Sequence, residues 1–353
     1  MTSRVCVVVV NWNGWRDTVE CLESLLALRA VDVEVVVVDN GSTDDSIARL
    51  QAWASGEEPF SPNHEDRPPP ILCAPREKPI RLHVATEDDA ARQPCSGRTT
   101  TGGQGVVLLP LRQNGGFAAG VNAGLRYALS DGSFTHVWVL NNDVVVEPDA
   151  LAALLHRMKQ VPSAGMCGST VCFYDEPGRV HAFGGARYFS SLGLVMHIGR
   201  FLGKRRHIAP DDIEGKMAYV FGASMLVSRQ MLEQVGLMEA GYFLYFEELD
   251  WALRARDHFS LAYAPQSIVY HKAGATAGSS RRITARSARS EYFLVRNRLW
   301  LTKRYFRRHV HLVALWSLVS IGARVASRRF DLVRADILAL RDGLTKSLDE
   351  NPL

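Results

Sequence analysis

The sequence predicts an α/β protein built on a Rossmann-like, mostly parallel sheet flanked by helices. Three observations lead there. Residues 5–10 and 33–38 are continuous β-branched apolar runs, the pattern of strands buried on both faces. Each run is followed by a segment with apolar residues at helical spacing. Each run also stops abruptly at a polar cluster. A strand–helix–strand–helix order calls for right-handed parallel pairing.

The first strand ends at Asn11-Trp12-Asn13-Gly14, and a helix follows with Val19, Leu22, Leu25, Leu26 and Leu28 on one face. The second strand ends at Asp39-Asn40-Gly41-Ser42-Thr43-Asp44. Ser42 or Thr43 is expected to cap the next helix (Ile47, Leu50, Trp53), with Asp44 and Asp45 in its first turn. Periodicity then dissolves over residues 55–105, read as an inserted surface excursion with a short strand near 80–84. Residues 106–109 form a third strand, and the glycine-rich segment Asn114 to Gly124 opens a helix running to about Leu129. Residues 137–140 form a fourth strand, which stops at Asn141-Asn142-Asp143 before Val144-Val145-Val146 resume the apolar run. Pro148 is placed in the first turn of a helix over 150–159.

In the second half a strand is expected over 220–227. Phe243 to Trp251 leads into a helix with Leu249 and Leu253 on its apolar face, and a last strand over 267–270 ends at His271. The remainder reads as helices, including one over 310–326 whose apolar core is judged too short to span a bilayer.

Composition is that of a soluble globular chain, 47% hydrophobic and 22% charged. Six scattered cysteines without C-x-x-C spacing argue against a zinc site or disulfide scaffold. Together with an N-terminus lacking a signal pattern, they suggest a cytoplasmic protein. Residues 276–353 carry 16 Lys+Arg against 6 Asp+Glu, and the rest 25 against 31. An acidic body with a basic tail points to an anionic partner surface. No nucleic-acid-binding motif accompanies that charge.

The polar strand ends carry the chemistry. In a parallel sheet, Asn11/Asn13, Asp39/Asn40 and Asn141/Asp143 lie on one edge, where open α/β sheets bind ligands. Asp39 can accept from a base imide or a ribose hydroxyl. Asn141, Asn142 and Asp143 supply hard oxygens for magnesium or manganese shared with a diphosphate, although a polar turn ending the strand accounts for the triplet equally well. The glycine-rich segment lets backbone approach a nucleotide closely, but it lacks the order of a dinucleotide fingerprint or a phosphate loop. Glu247, Glu248 and Asp250 crowd one helix start, where repulsion raises a carboxyl pKa toward that of a general base; complementing the helix dipole is the plainer role. His271 can act as a metal ligand or as a satisfied core histidine.

Taken in order, these segments resemble family 2 glycosyltransferases of the inverting GT-A type, particularly the bacterial rhamnosyltransferase-like branch. The matching pieces are residues 9–14, 37–44, 114–124, 140–143, 222–227, 246–251 and His271, with Arg296-Asn297 beyond them. The resemblance covers 1–54 and 106–300.

It implies a GT-A domain over 1–275, with a nucleotide half (1–145) and an acceptor half (146–275), followed by a basic helical extension over 276–353. It implies a nucleotide site lined by Asn11, Asn13, Asp39, Asn40, Ser42, Asn114, Gly116, Phe117, Asn122 and Asn142. The divalent cation would sit at Asp143, Asn141 and His271, with an amide at the first position of the family's D-x-D motif. Glu248 falls on the catalytic base, Asp250 is the second choice with Glu247 beside them, and Gly222 and Ala223 face the acceptor. The expected reaction is transfer of a sugar, rhamnose first, from a nucleoside diphosphate to a hydroxyl of a glycan or polyprenyl-linked acceptor. The basic tail would touch the inner face of an anionic membrane, or simply be a solvated face. The competing functions are a sugar-nucleotide nucleotidyltransferase and a non-catalytic nucleotide-sugar-binding protein.

Overall fold

The computed structural model describes residues 3–60, 76–86, 105–204, 206, 208–272 and 287–348. The apolar runs form β1 (Arg4–Asn11) and β2 (Asp32–Asp39). β3 (Leu82–Val84), β4 (Val106–Pro110) and β5 (His136–Asn141) complete a parallel half-sheet. Its strand order is β3-β4-β2-β1-β5. The order reverses at β1, since β2 and β4 build outward on one side and β5 returns to the other. That reversal opens a crevice beyond Asn11 and Asn141.

Side-chain alternation explains why these strands are apolar throughout. Val5, Val7, Val9, Val35, Val37 and Leu140 pack under α1 (Trp15–Leu25), α2 (Ser46–Ser55) and α4 (Ala150–Gln160). Cys6, Val8, Val10, Val36, Val38 and Val139 face α3 (Phe117–Ser130) on the other side. A strand covered on both faces has no polar position to offer. Gly124 on α3 lies so close to Val8 that a Cβ there would overlap it.

Several expectations shift. The α2 helix starts at Ser46 behind Asp45, whose side chain does not cap it, while Asp44 Oδ1 accepts from the Ser46 amide at 3.1 Å; Ser42 and Thr43 are engaged elsewhere. Pro148 precedes Asp149, the residue flanking α4, so it lies outside the helix. The excursion contributes a real edge strand, β3, and a tether in which Lys78 Nζ lies 2.7 Å from Glu23. Residues 61–75 and 87–104, with Cys73 and Cys95, lie outside the described residues. Cys6, Cys21, Cys167 and Cys172 are buried free thiols.

The sheet continues through β6 (Val144–Val146), β7 (Ala164–Phe173), β8 (Val180–Phe183), β12 (Ser224–Ser228) and β13 (Ser260–His271). β12 runs antiparallel between β5 and β7, while β13 pairs β7 in parallel and β6 antiparallel. A second sheet, β10-β9-β11, joins β9 (Gly185–Phe189), β10 (Leu194–His197) and β11 (Tyr219–Val220). The expected 220–227 strand is therefore two, since the chain changes sheets across 221–223. The last strand is far longer than expected, with a register irregularity between Ala264 and Ile268. Short helices α5 (Pro210–Glu214) and α6 (Arg229–Val235) precede α7 (Glu247–Ala255).

Three terminal helices follow: α8 (Ala288–Tyr305), α9 (Val310–Ala326) and α10 (Phe330–Thr345). Trp300 and Leu301 of α8 share a core with Tyr242, Phe246 and Leu249. The judgement that 310–326 is too short to span is corrected. A 3-10 turn extends it to a 20-residue helix, Arg307–Ala326, long and apolar enough by length and composition to cross a membrane. Arg281 and Arg282, which belong to the expected basic tail, lie outside the described residues.

Candidate active site

At the sheet's carboxyl edge, Asn11 and Asp39 stand in register on neighbouring strands. Asn11 Nδ2 donates to Asp39 Oδ2 at 2.7 Å, and Ser42 Oγ donates to the same oxygen at 2.7 Å. The Ser42 amide donates to Asp39 Oδ1 at 3.0 Å. Asn13 Oδ1 accepts from the Thr43 and Asp44 amides. Ser42 and Thr43 thus shape the pocket around Asp39, which is why they cap no helix. Asn40 donates to the Gly116 carbonyl at 2.9 Å, and Asn114 Oδ1 accepts from the Gly116 amide at 2.8 Å. Gly116 has φ 88°, and a Cβ there would overlap the Phe243 carbonyl, which accepts from the Phe117 amide at 2.8 Å. Only glycine serves where two loops meet this closely.

Two expected nucleotide residues face away from this edge. Asn122 spends both ends of its amide on the Met238 backbone, at 2.9 and 3.0 Å. Asn142 is buried and donates to Thr18 Oγ1 and the Gly14 carbonyl on the α1 side. These contacts tie Asn122 to the backbone at Met238 and Asn142 to the start of α1.

Asp143 and His271 do meet. β6 pairs with the end of β13, placing Val144 opposite His271, and His271 Nε2 lies 3.2 Å from Asp143 Oδ1. The Lys272 amide donates to the Asp143 carbonyl at 3.0 Å. The Lys272 ammonium is buried between Asp17 and Glu20 of α1, pinning the end of β13. Behind His271 stands His181, with the two Nδ1 atoms 3.3 Å apart and the rings stacked at 5.3 Å. His181 in turn stacks on Phe173 at 4.6 Å. His197 meets His181 edge-on, and burial pushes its pKa down to about 4.

The fit of a divalent cation can be judged from these atoms. Asn141 Oδ1 is buried and has no hydrogen-bond partner, an expensive arrangement unless something coordinates it. Among the described residues, no group of three or more His, Cys, Asp or Glu side chains could hold a metal ion alone. Asp143, His271 and the Asn141 oxygen therefore suit a cation whose remaining ligands are substrate phosphates and water.

Across from them lie the acidic residues of α7. A Cβ at Gly222 would overlap Glu248 Oε1, so the carboxylate sits against the 221–223 crossover. The neighbouring Ala223 carbonyl accepts from the Asn141 amide at 3.3 Å. Glu248 is thereby brought to the same edge as Asn141 and Asp143. Its pKa is raised to about 7 by burial. Glu247 is 2% exposed, and burial first, then its charged neighbour Glu248, drives its pKa well above the usual range. Asp250 is fully buried and occupied by Tyr305 Oη (2.8 Å), Tyr242 Oη (3.3 Å) and Arg254 Nε (2.9 Å). These partners brace α7 from its first turn. Gly222 and Ala223, expected on the acceptor side, form the seat of Glu248.

The turn before Glu247 explains this aim. Phe243, Tyr245 and Phe246 have φ 66°, 70° and 76°, left-handed values costing about 1–3 kcal/mol each for such residues. Asn297 of α8 holds them, donating to the carbonyls of Tyr242, Leu244 and Tyr245 at 2.8, 2.7 and 3.1 Å. Arg296 donates to the Tyr242 carbonyl at 3.0 Å. Asn297 as a brace was missed in sequence, where only its place in the resemblance marked it, and His181 carried no local signal.

A family model described as "Glycosyltransferase like family 2" matches residues 80–290, and one described as "Glycosyl transferase family 2" matches 6–67. Over 211 residues the chain is 28% identical to the N-acetylglucosaminyl-diphospho-decaprenol L-rhamnosyltransferase of Mycobacterium tuberculosis, covering 55% of this chain and 67% of that one. Over 144 residues it is 26% identical to the low-salt glycan biosynthesis hexosyltransferase Agl10 of Haloferax volcanii, covering 40% and 44%. The match thus spans less than half of that hexosyltransferase. Among solved structures, the mannosyltransferase PcManGT of Pyrobaculum calidifontis, in complex with GDP-Man and Mn2+, is similar with a TM-score of 0.51 at 15% identity, covering 98% of this chain and 88% of that one. GalNAc-T7 with UDP, GalNAc and Mn2+ has a TM-score of 0.56 at 12% identity, covering 99% and 55%. The fold is the GT-A fold these proteins share.

Proposed function

The chain belongs to glycosyltransferase family 2, and from that premise we propose that it transfers a sugar, with inversion, from a nucleoside diphosphate to an acceptor hydroxyl. The observation that carries the mechanism is Glu248, a carboxylate with a pKa of about 7 seated on Gly222 beside the Asn141–Asp143 edge. Glu248 takes the proton of the acceptor hydroxyl as its oxygen bonds to the anomeric carbon. The bond from that carbon to the diphosphate oxygen breaks, and its electron pair leaves with the diphosphate. Attack opposite the leaving group inverts the configuration. Asp39, held by Asn11 and Ser42, receives the nucleoside. Asp143, His271 and Asn141 would hold a divalent cation, which supplies positive charge to the departing diphosphate; GT-A neighbours that carry Mn2+ with a sugar nucleotide or its parts support this assignment.

Rhamnose on a polyprenyl-linked acceptor is the substrate pair we favour, supported by the name of the mycobacterial relative. Calorimetry with a panel of nucleoside diphosphates, with and without manganese, tests the reading. Manganese-dependent binding of one nucleotide is expected, with deoxythymidine diphosphate first. Folded protein that binds none of them would overturn it.

A further inference from the structure

We propose that α9, the outer side of α10 and the β9–β10 hairpin form one surface that rests on an anionic lipid bilayer, with α9 lying in the membrane plane. The proposal deepens the lipid-linked-acceptor part of the reading above and rests on it. Among the described residues, every exposed large hydrophobic side chain except Val84 falls within 189–201 or 312–344. Leu315, Leu318 and Val319 are 58%, 54% and 55% exposed, and Met196 is 49% exposed on the hairpin. The two regions adjoin: Gly193 at the hairpin turn packs against Arg298 of α8 and Val313 of α9. Exposed apolar side chains gathered on adjoining elements in this way mark an interaction site.

Charge identifies the occupant. Residues 307–330 contain five arginines and no Asp or Glu, and residues 184–208 contain four arginines and a lysine, again without an acid; Arg324, Arg329 and Lys204 are paired with acids from outside these stretches, which leaves Arg307 and Arg308 at the start of α9 as the clearest cationic rim. A cavity of about 550 Å³ lined by Arg304, Arg307, Arg308 and His309 opens at the start of α9. Apolar side chains bracketed by arginine match an acyl interior beneath anionic headgroups. A second copy of the chain would bring the same cationic rim against itself, since a two-fold contact pairs each patch with its twin.

The neighbouring helices decide how α9 lies. Although 20 residues suffice to cross, α8 and α10 flank α9 in sequence and pack on each other. Tyr292 Oη donates to Asp342 at 2.8 Å, and Gly343 lies against Leu299. Arg324, near the end of α9, pairs with Glu291 of α8 and Asp336 of α10. A spanning α9 would hold these partners about 30 Å apart, on opposite sides of the hydrocarbon. The hairpin also leads inward, because its His197 meets His181, which stacks on His271. A lipid-linked acceptor rising from the bilayer would thus reach the metal-side wall along β10.

The test is co-sedimentation of the full chain with vesicles of phosphatidylglycerol and phosphatidylethanolamine, against phosphatidylcholine alone. Binding to the anionic vesicles is expected, with release by alkaline carbonate. It should fall about 25-fold in Arg307→Ala/Arg308→Ala, about fivefold per arginine, and more steeply in Leu315→Glu/Leu318→Glu. Both variants should bind nucleoside diphosphate as the parent does, which also shows that they fold. Absence of vesicle binding with nucleotide binding intact would overturn the docking surface and leave the glycosyltransferase reading standing. Unchanged binding by the glutamate variant, or resistance to carbonate, would overturn the surface or the in-plane placement respectively. A dimer broken by those glutamates, without vesicle binding, would assign the face to self-association. Vesicle binding without any nucleotide binding would instead sink the reading of the catalytic site.

Discussion

Replacing Glu248 by glutamine should remove catalysis and, as pH rises from about 4.5 through 7, stabilise the fold relative to the parent. The carboxyl titrates near pH 7 in the folded chain against a usual value of 4.5. The folded state therefore holds this proton more tightly than the unfolded one, and the stability it confers is full below pH 4.5 and lost as pH rises through about 7. The difference corresponds to a ceiling of about 3 kcal/mol, and to about 1–2 kcal/mol for a half-buried group that solvent still reaches. Glutamine keeps the shape and carries no charge. Urea unfolding of parent and Glu248→Gln should give equal stability near pH 4.5 and a gain of about 1–2 kcal/mol for the variant at pH 8. Sugar-transfer kcat should fall about 10²–10⁴-fold, and the rise of kcat/KM through pH 7 should vanish, while nucleotide binding persists. Equal stability at every pH would refute the burial argument, and kcat within threefold of the parent would refute the assignment of the base.

Three further substitutions probe the parts that aim this carboxylate and its opposite wall. Gly222→Ala puts a methyl where Glu248 Oε1 sits, and a displacement of that kind should lower kcat about 100-fold with nucleotide affinity unchanged, read by steady-state kinetics beside calorimetry. His181→Phe keeps the stack on Phe173 and loses the nitrogen facing His271; manganese affinity, followed by the spin-resonance signal of free Mn2+, should weaken about 10–100-fold. Asn297→Ala strips three carbonyls of a partner beneath a left-handed turn. It should cost about 2–4 kcal/mol in denaturant unfolding, with kcat falling more than KM rises.

Much of the nucleotide side was legible because local pattern and long-range packing agree there. A parallel strand covered on both faces must be apolar along its length, so β1, β2 and β5 announce themselves, and the polar residues where they stop can only lie at the sheet edge. Asn11, Asp39 and Ser42 meet there as their positions imply. The alternation signal fails where the chain changes sheets at 221–223, and where β13 carries an irregularity between Ala264 and Ile268. Asn122 and Asn142 show the limit for single residues. An amide near a crevice reads the same whether it faces the cleft or ties two backbones.

What the sequence by itself determined is the alternation of buried strands and helices, the edge at which polar groups converge, and the chemical types available there. Tertiary structure alone decided which of three neighbouring carboxylates faces that edge, through a left-handed turn braced by Asn297 from a distant helix. It alone brought His271 to Asp143, by pairing β6 with β13, and set His181 behind them. It also showed that α9 is bracketed by two helices packed on each other, so that an apolar length sufficient to cross a bilayer lies along the surface of the fold. The physical reason is common to all of these. Periodicity and polarity are properties of a short stretch, whereas orientation follows from contacts between residues far apart in the chain.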